Sequence, residues 1–190
     1  MYSSTEKSGP NARLQRGMTL IEVMVTVFIL AVGLLGMAGL QARLQQSEME
    51  AYQRSQALML LQDMASRLAT NRNSADLYEA ATSAAASGAA CPTNTATQVD
   101  RDASEWCNAL QGAGETSGSS KAGAMIGGRG CVEATGNPGE YMITVAWQGL
   151  NPLSAPPASV ACGKDLYDGG VCSGDLCRRV VTTIVRVASL

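Results

Sequence analysis

The sequence contains no histidine. That excludes Ser-His-Asp and Cys-His catalysis and removes a common zinc ligand. Aromatic residues make up only 4% of the 190 residues. A core built from so few large side chains is thin, and it needs support from cross-links, a membrane or partner subunits. Charge is scarce too, at 16%, below the usual quarter or so. The net charge is −2 and the pI is near 5.2. Its basic residues are scattered, with only Arg178 and Arg179 adjacent, so the chain lacks the basic stripe of a general nucleic-acid binder. Cysteine is missing from the first 90 residues. All six, Cys91, Cys107, Cys131, Cys162, Cys172 and Cys177, lie beyond them, and none stands in a C-x-x-C pair. An even count without metal-ligand spacing points to disulfides and an oxidising compartment. Spacing alone does not choose the pairing. Cys91 and Cys107 bracket a loop of about 15 residues, whose closure contributes about 3 kcal/mol in the chain-entropy account, and this is the favoured pair. The other four are expected to tie the strand at Cys131 to the Cys162–Cys177 loop.

What the chain does have is a long apolar run. Residues 1–17 are polar, with Lys7, Arg13 and Arg16 against the single acid Glu6; residues 18–40 are almost wholly apolar and carry one charge, Glu22. At about 1.5 Å per residue such a run forms a helix of roughly 35 Å, enough to cross the hydrocarbon of a bilayer. The basic flank comes first, which places residue 1 on the cytoplasmic side and the cysteines outside. A cleaved secretory signal would have a shorter apolar stretch, of about 7–15 residues. Helical character also continues: residues 43–67 contain no Gly or Pro and many helix formers. Helix is therefore predicted from about Thr19 to Ala69. Leu44, Ala51, Ser55, Leu58, Ala65 and Leu68 recur at helical steps and predict the buried stripe of its second half.

The stretch "RGMTLIEVMV" resembles the type IV prepilin signal: a basic leader, a glycine, a hydrophobic residue, Thr, two apolar residues, Glu, and then an apolar helix. The resemblance implies cleavage after Gly17 by a prepilin peptidase, N-methylation of the new first residue Met18, and an assembly role for Glu22. It also implies the inner membrane, then a pilus, as the location, with other minor pilins and the major pilin as partners. Residues 18–40 depart from the usual major-pilin pattern in having no proline; Gly33, Gly36 and Gly39 stand there instead.

Beyond the helix, "AATSAAASGAA" (residues 80–90) reads as a small-residue surface connection with a helical turn, and "DRDASEWCNALQ" (Asp100 to Gln111) as a short helix burying Trp106 and Leu110. Residues 112–123, rich in Gly and Ser, read as a loop. "AMIGGRGCVEA", "NPG" and "EYMITVAWQ" read as a β-hairpin, with Tyr141, Ile143, Val145 and Trp147 alternating as a half-buried strand requires. "RRVVTTIVRV" is the closing strand. The fold expected is α+β: a long N-terminal helix on a small antiparallel sheet of three or four strands. The segments are a leader (1–17), a membrane or filament-core half-helix (18–40), an amphipathic half (41–70) and a periplasmic domain (71–190). This order also resembles PilV-type minor pilins.

No catalytic constellation stands out, and no pattern asks for a cofactor. Gly127-Gly128-Arg129-Gly130 lacks the Lys-Ser/Thr of a phosphate loop and reads as a bulge or turn. Asp165, Asp168 and Asp175 do not have the EF-hand spacing and read as a solvated loop. Asp100 and Asp102 suit a helix start. A minor pilin is the leading expectation. A type II secretion pseudopilin and a membrane-anchored exported enzyme or binding module remain open beside it.

Overall fold

The computed structural model describes residues 17–112, 114, 116–117, 120–121 and 125–188. Residues 1–16 of the expected leader lie outside the described residues, as does much of the expected Gly/Ser loop. The element order is α1 (Leu20–Thr70), a 3₁₀ turn (Arg72–Ser74), α2 (Leu77–Ala81), α3 (Ser83–Ser87), α4 (Gln98–Leu110), the two-residue strands β1 (Thr116–Ser117) and β2 (Ser120–Lys121), β3 (Arg129–Ala134), β4 (Glu140–Gln148), a second 3₁₀ turn (Gly170–Cys172) and β5 (Arg178–Arg186). The chain divides into two compact units, Met1–Leu44 and Gln45–Leu190.

In the second unit an antiparallel sheet of order β3-β4-β5 packs one face against helices. The core joins Ala57, Leu61, Met64 and Leu68 of α1, Val99, Trp106 and Leu110 of α4, and Val132, Ile143, Val145 and Trp147 of the sheet. The fold is α+β, a long helix on a three-stranded antiparallel sheet. The buried stripe of α1 differs from the one expected. It is Gln53, Ala57, Leu61, Met64 and Leu68, while Leu44, Ala51, Ser55 and Leu58 are exposed. Both sets recur at helical spacing; the one holding Leu61 and Met64 has the bulk to fill a core short of aromatics.

The helix α4 starts earlier than its acidic residues suggest. Thr97 accepts from the Asp100 N–H, and the Asp100 side chain accepts from the Thr97 N–H in return, a capping box that satisfies two free donors at once. Trp106 is fully buried, and its indole N–H donates to the Leu60 carbonyl at 2.9 Å, fastening α4 to α1. Gly128 and Gly130 let β3 approach that helix closely. A Cβ at Gly130 would collide with the Trp106 ring, and one at Gly128 with the Leu110 carbonyl. The Gly-rich stretch is thus a packing contact at the entry to a strand. Within residues 80–90 the helical turn forms as α3, and Ala85 is buried rather than at the surface.

β4 is covered on both faces. Its odd residues face the helices. Ala146 on the other face joins a second cluster with Cys131, Cys162 and Tyr167, and Thr144 is fully buried. The half-buried strand predicted from alternation is therefore fully buried at its centre. The cover is the loop after β4, held down by a disulfide.

The β3–β4 hairpin closes with Gly139 at φ +69, a left-handed conformation that glycine adopts without steric cost. At its end the Glu140 carboxylate accepts from Asn137 (2.9 Å), Arg186 (2.6 Å) and Thr135 (2.8 Å). These hydrogen bonds, that of Asn137 foremost, pull the Glu140 pKa down to about 2. A carboxylate with a lowered folded-state pKa stabilises above its unfolded value and loses that contribution as pH falls toward 2. Thermal unfolding between pH 5 and pH 2 should therefore decline less steeply for Glu140→Gln than for the wild type. Parallel curves would rule out this role.

Candidate functional site

The first unit contains the residues that the sequence pattern singles out. Gly17, Met18 and Thr19 precede the helix, and all three are exposed. Thr19 opens α1: its carbonyl accepts from the N–H groups of Glu22 (3.1 Å) and Val23 (3.3 Å), and its hydroxyl lies 3.4 Å from the Glu22 N–H. Glu22 thus lies in the first turn, where the helix dipole favours a negative charge. Gly17 and Met18 immediately precede this start, and Glu22 stands four residues after Met18.

The run that follows is bare. α1 contains an 18-residue window of mean hydropathy 2.5, none of it buried, long and apolar enough to cross a membrane. Leu20, Ile21, Phe28, Ile29, Leu30, Leu34 and Leu35 are all exposed. A surface of this kind requires lipid or other protein to cover it. Among the described residues, and apart from the helix's own neighbouring backbone, nothing lies within 4 Å of where a side chain would start at Gly33, Gly36 or Gly39.

In the second unit the six cysteines form three disulfides: Cys91–Cys107, Cys131–Cys162 and Cys172–Cys177. The first ties the connection after α3 to α4, and the second fastens the long loop onto β3. The third closes the end of that loop just before β5. Asp175 and Arg178, next to this last bridge, form a buried ion pair at 2.8 Å. Asp165 and Asp168 join it through backbone N–H bonds. Asp175 is therefore interior, correcting the reading of a solvated acidic loop.

A second polar cluster went unread in the sequence. Arg67 of α1 pairs with Asp63 (2.9 Å), Asp102 (2.9 Å) and Glu105 (2.7 Å). The buried Asp102 also accepts from Tyr78 at 2.5 Å and Gln98 at 2.9 Å. Burial works against the Arg67 charge, but bonds with Glu105, Asp102 and Asp63 outweigh it and hold the guanidinium above its ordinary range. Burial, together with the bond to Asp102, raises Tyr78 to about 12. The cluster joins α1, α2 and α4. Its one sequence signal was the Thr97-x-x-Asp100 cap, which sets Asp102 on the inner face of α4. Among the described residues no group of three or more His, Cys, Asp or Glu side chains could hold a metal ion.

Residues 12–38 match the prokaryotic N-terminal methylation motif, and residues 39–115 match the Tt1218-like family, described as type IV pilin Tt1218. The chain belongs to the type IV pilins. No curated protein and no solved structure matches it. The motif implies a prepilin peptidase, a membrane and other pilins as partners, and the family points to a structural role.

Proposed function

We propose that this pilin is a minor pilin, a membrane-stored subunit that helps initiate and assemble a type IV pilus. The observation that carries the reading is the bare apolar run of α1. It follows a cleavage-type glycine directly and holds a single carboxylate. In this reading residues 1–17 are a cytoplasmic leader, residues 18–40 span the bilayer and later enter the filament core, and residues 41–70 join them to the periplasmic domain 71–190. Met49, Tyr52, Leu58 and Met59 are exposed on the continuation of α1, and they would continue the apolar contact with neighbouring helices. The arrangement of elements supports the PilV-type assignment, since the Trp-bearing helix, the "ITVAW" strand, the Cys-bearing loop and the Arg-led last strand stand in that order.

Cleavage would free an amine at Met18. A carboxylate in a filament core would be strongly disfavoured unless paired, and the amine of the same or a neighbouring subunit is the partner at hand. Processing and docking are then linked, because the amine does not exist before the cut.

The deciding measurement is the mass of the N-terminal peptide. The expected mature chain starts at methylated Met18 and has 173 residues. Its formal charge is −4, because the leader takes away three bases and one acid. Gly17→Leu should block the cut, since a branched side chain crowds the extended backbone in a peptidase cleft. An intact Met1 in wild-type protein, or normal maturation of Gly17→Leu, would sink the reading. Loss of twitching rather than of protein secretion on deletion separates a pilus subunit from a secretion pseudopilin.

A further inference from the structure

Among the described residues no strand pairs with the outer edge of the sheet's last strand; Leu153, whose N–H donates to the Leu176 carbonyl, sits beside its start. β5 is nine residues long and, among the described strands, pairs with β4. The register opposes Glu140 to Arg186 and Gln148 to Arg178. Just beyond its two ends, Val187 N–H donates to Gly139, and Gly149 N–H to Cys177. These bonds fix the parity: the odd-numbered residues of β5 bond β4, and the even-numbered ones aim their N–H and C=O groups outward. Among the described residues, no other element bonds the backbone of Val180, Thr182, Ile184 or Arg186. Natural sheets blunt such edges with charges, proline or bulges. Here residues 180–185 are Val-Val-Thr-Thr-Ile-Val, without any of these, and Ile184 is 57% exposed.

A row of outward amides and carbonyls is complementary to another extended backbone. We propose that the outer edge of β5 is a docking site for an extended segment of a different subunit of the pilus, which adds to the sheet as a fourth strand. This rests on the reading of the chain as a membrane-stored pilus subunit. A second copy does not fit. Antiparallel pairing of two β5 strands needs a two-fold axis normal to the sheet. That axis reverses every direction lying along the sheet, including that of residues 45–70 of α1, which pack on its face. The two copies would then enter their folded units from opposite sides, and one bilayer could not anchor both. Parallel stacking of like-oriented copies would set β5 of one against β3 of the next. α2 and α3 pack close beside β3, where the Arg129 guanidinium donates to the Ser87 carbonyl. Charge narrows the occupant further. The Arg186 side chain is 80% exposed and spends one N–H on Glu140, which leaves other donors of its fork open. The incoming segment therefore alternates apolar residues and presents a carboxylate opposite Arg186.

The test compares amide hydrogen exchange in the processed full-length chain, once alone in detergent and once in sheared pili. The amides of residues 180, 182, 184 and 186 should exchange at least 10-fold more slowly in pili, while the odd-numbered amides are slow in both. A paired variant asks the same of assembly. The Thr182 N–H points away from β4, so Thr182→Pro deletes only an outward donor, a change edge strands tolerate. That variant should be cleaved and form its disulfides, yet enter pili at least 10-fold less. Equal exchange of the even amides in the two states would overturn the proposal, as would wild-type entry of the folded variant. Concentration-dependent protection of the chain alone in detergent would make the occupant a second copy, which also overturns it. A chain that is uncut, or absent from pili altogether, fails at the proposed function first and takes this inference with it.

Discussion

Glu22→Val is expected to leave cleavage and membrane level unchanged while lowering incorporation into pili on the order of 100-fold. In the proposed membrane-stored state the carboxylate, four residues past Met18 and about 6 Å along the axis, would stand close to the interface, where its cost is small. A filament core offers no interface. If the Met18 amine and Glu22 meet there, removing one partner leaves the other charge buried alone, a loss of about 3–5 kcal/mol. Each factor of ten corresponds to about 1.4 kcal/mol, so a 100-fold deficit follows from the lower end of that range. Register is part of the same effect, because a neighbouring helix displaced by one turn would leave both charges unpaired. Glu22→Gln separates charge from shape: it keeps the length and polarity and should also fail to assemble. The measurement is the ratio of variant to wild type in sheared pili, set against the methylated Met18 peptide in membranes. A Val variant that assembles at the wild-type ratio would show that the carboxylate merely rests at the lipid surface.

The parts of the fold legible in the sequence were those governed by local rules. The run from residue 18 to 40 allowed little except a bare helix, and the Gly- and Pro-free stretch behind it carried that helix to Thr70. The hairpin was readable because Asn137-Pro138-Gly139 is turn chemistry flanked by alternation, and β5 because it is nearly all β-branched. What escaped was decided by packing. Leu44, Ala51, Ser55 and Leu58 satisfy helical spacing as well as Gln53, Ala57, Leu61 and Met64 do, and only the sheet selects between them. Alternation in β4 described its helix-facing side correctly and its burial incompletely, since the cover over Ala146 comes from a loop with no period to read. Arg67 and Asp102, 35 residues apart, carried no pattern that could pair them. Gly17, Met18 and Glu22 could be picked out, for processing and for assembly, because their spacing resembles a signal; the open edge of β5 could not, because no sequence pattern marks what a strand lacks.

The same limit applied to Asp175, where the second large effect is expected. Asp175→Asn should destabilise the folded unit by about 3–5 kcal/mol, the usual cost of breaking a buried ion pair from one side. Asp175 Oδ2 accepts from Arg178 Nε at 3.0 Å and Nη2 at 2.8 Å, while Oδ1 accepts from the Asp165 N–H at 2.9 Å. The Arg178 Nη1 donates to the carbonyls of Val160 and Cys162. One guanidinium, almost wholly buried, thus gathers the loop that covers the second face of the sheet, between the Cys131–Cys162 and Cys172–Cys177 bridges. Asparagine suits the test because Asp175 has φ +62, a conformation that Asn and Asp tolerate better than most residues; the loss then reports charge rather than backbone strain. The amide still accepts one bond, but it leaves the Arg178 charge uncompensated. Urea unfolding of the full chain in detergent, with disulfides intact, gives the value. Pairing it with Arg178→Met measures the coupling, and the double variant should lose well under the sum of the two single losses. A loss below about 1 kcal/mol for Asp175→Asn, on the scale of an exposed ion pair, would mean that the loop is held by its disulfides alone.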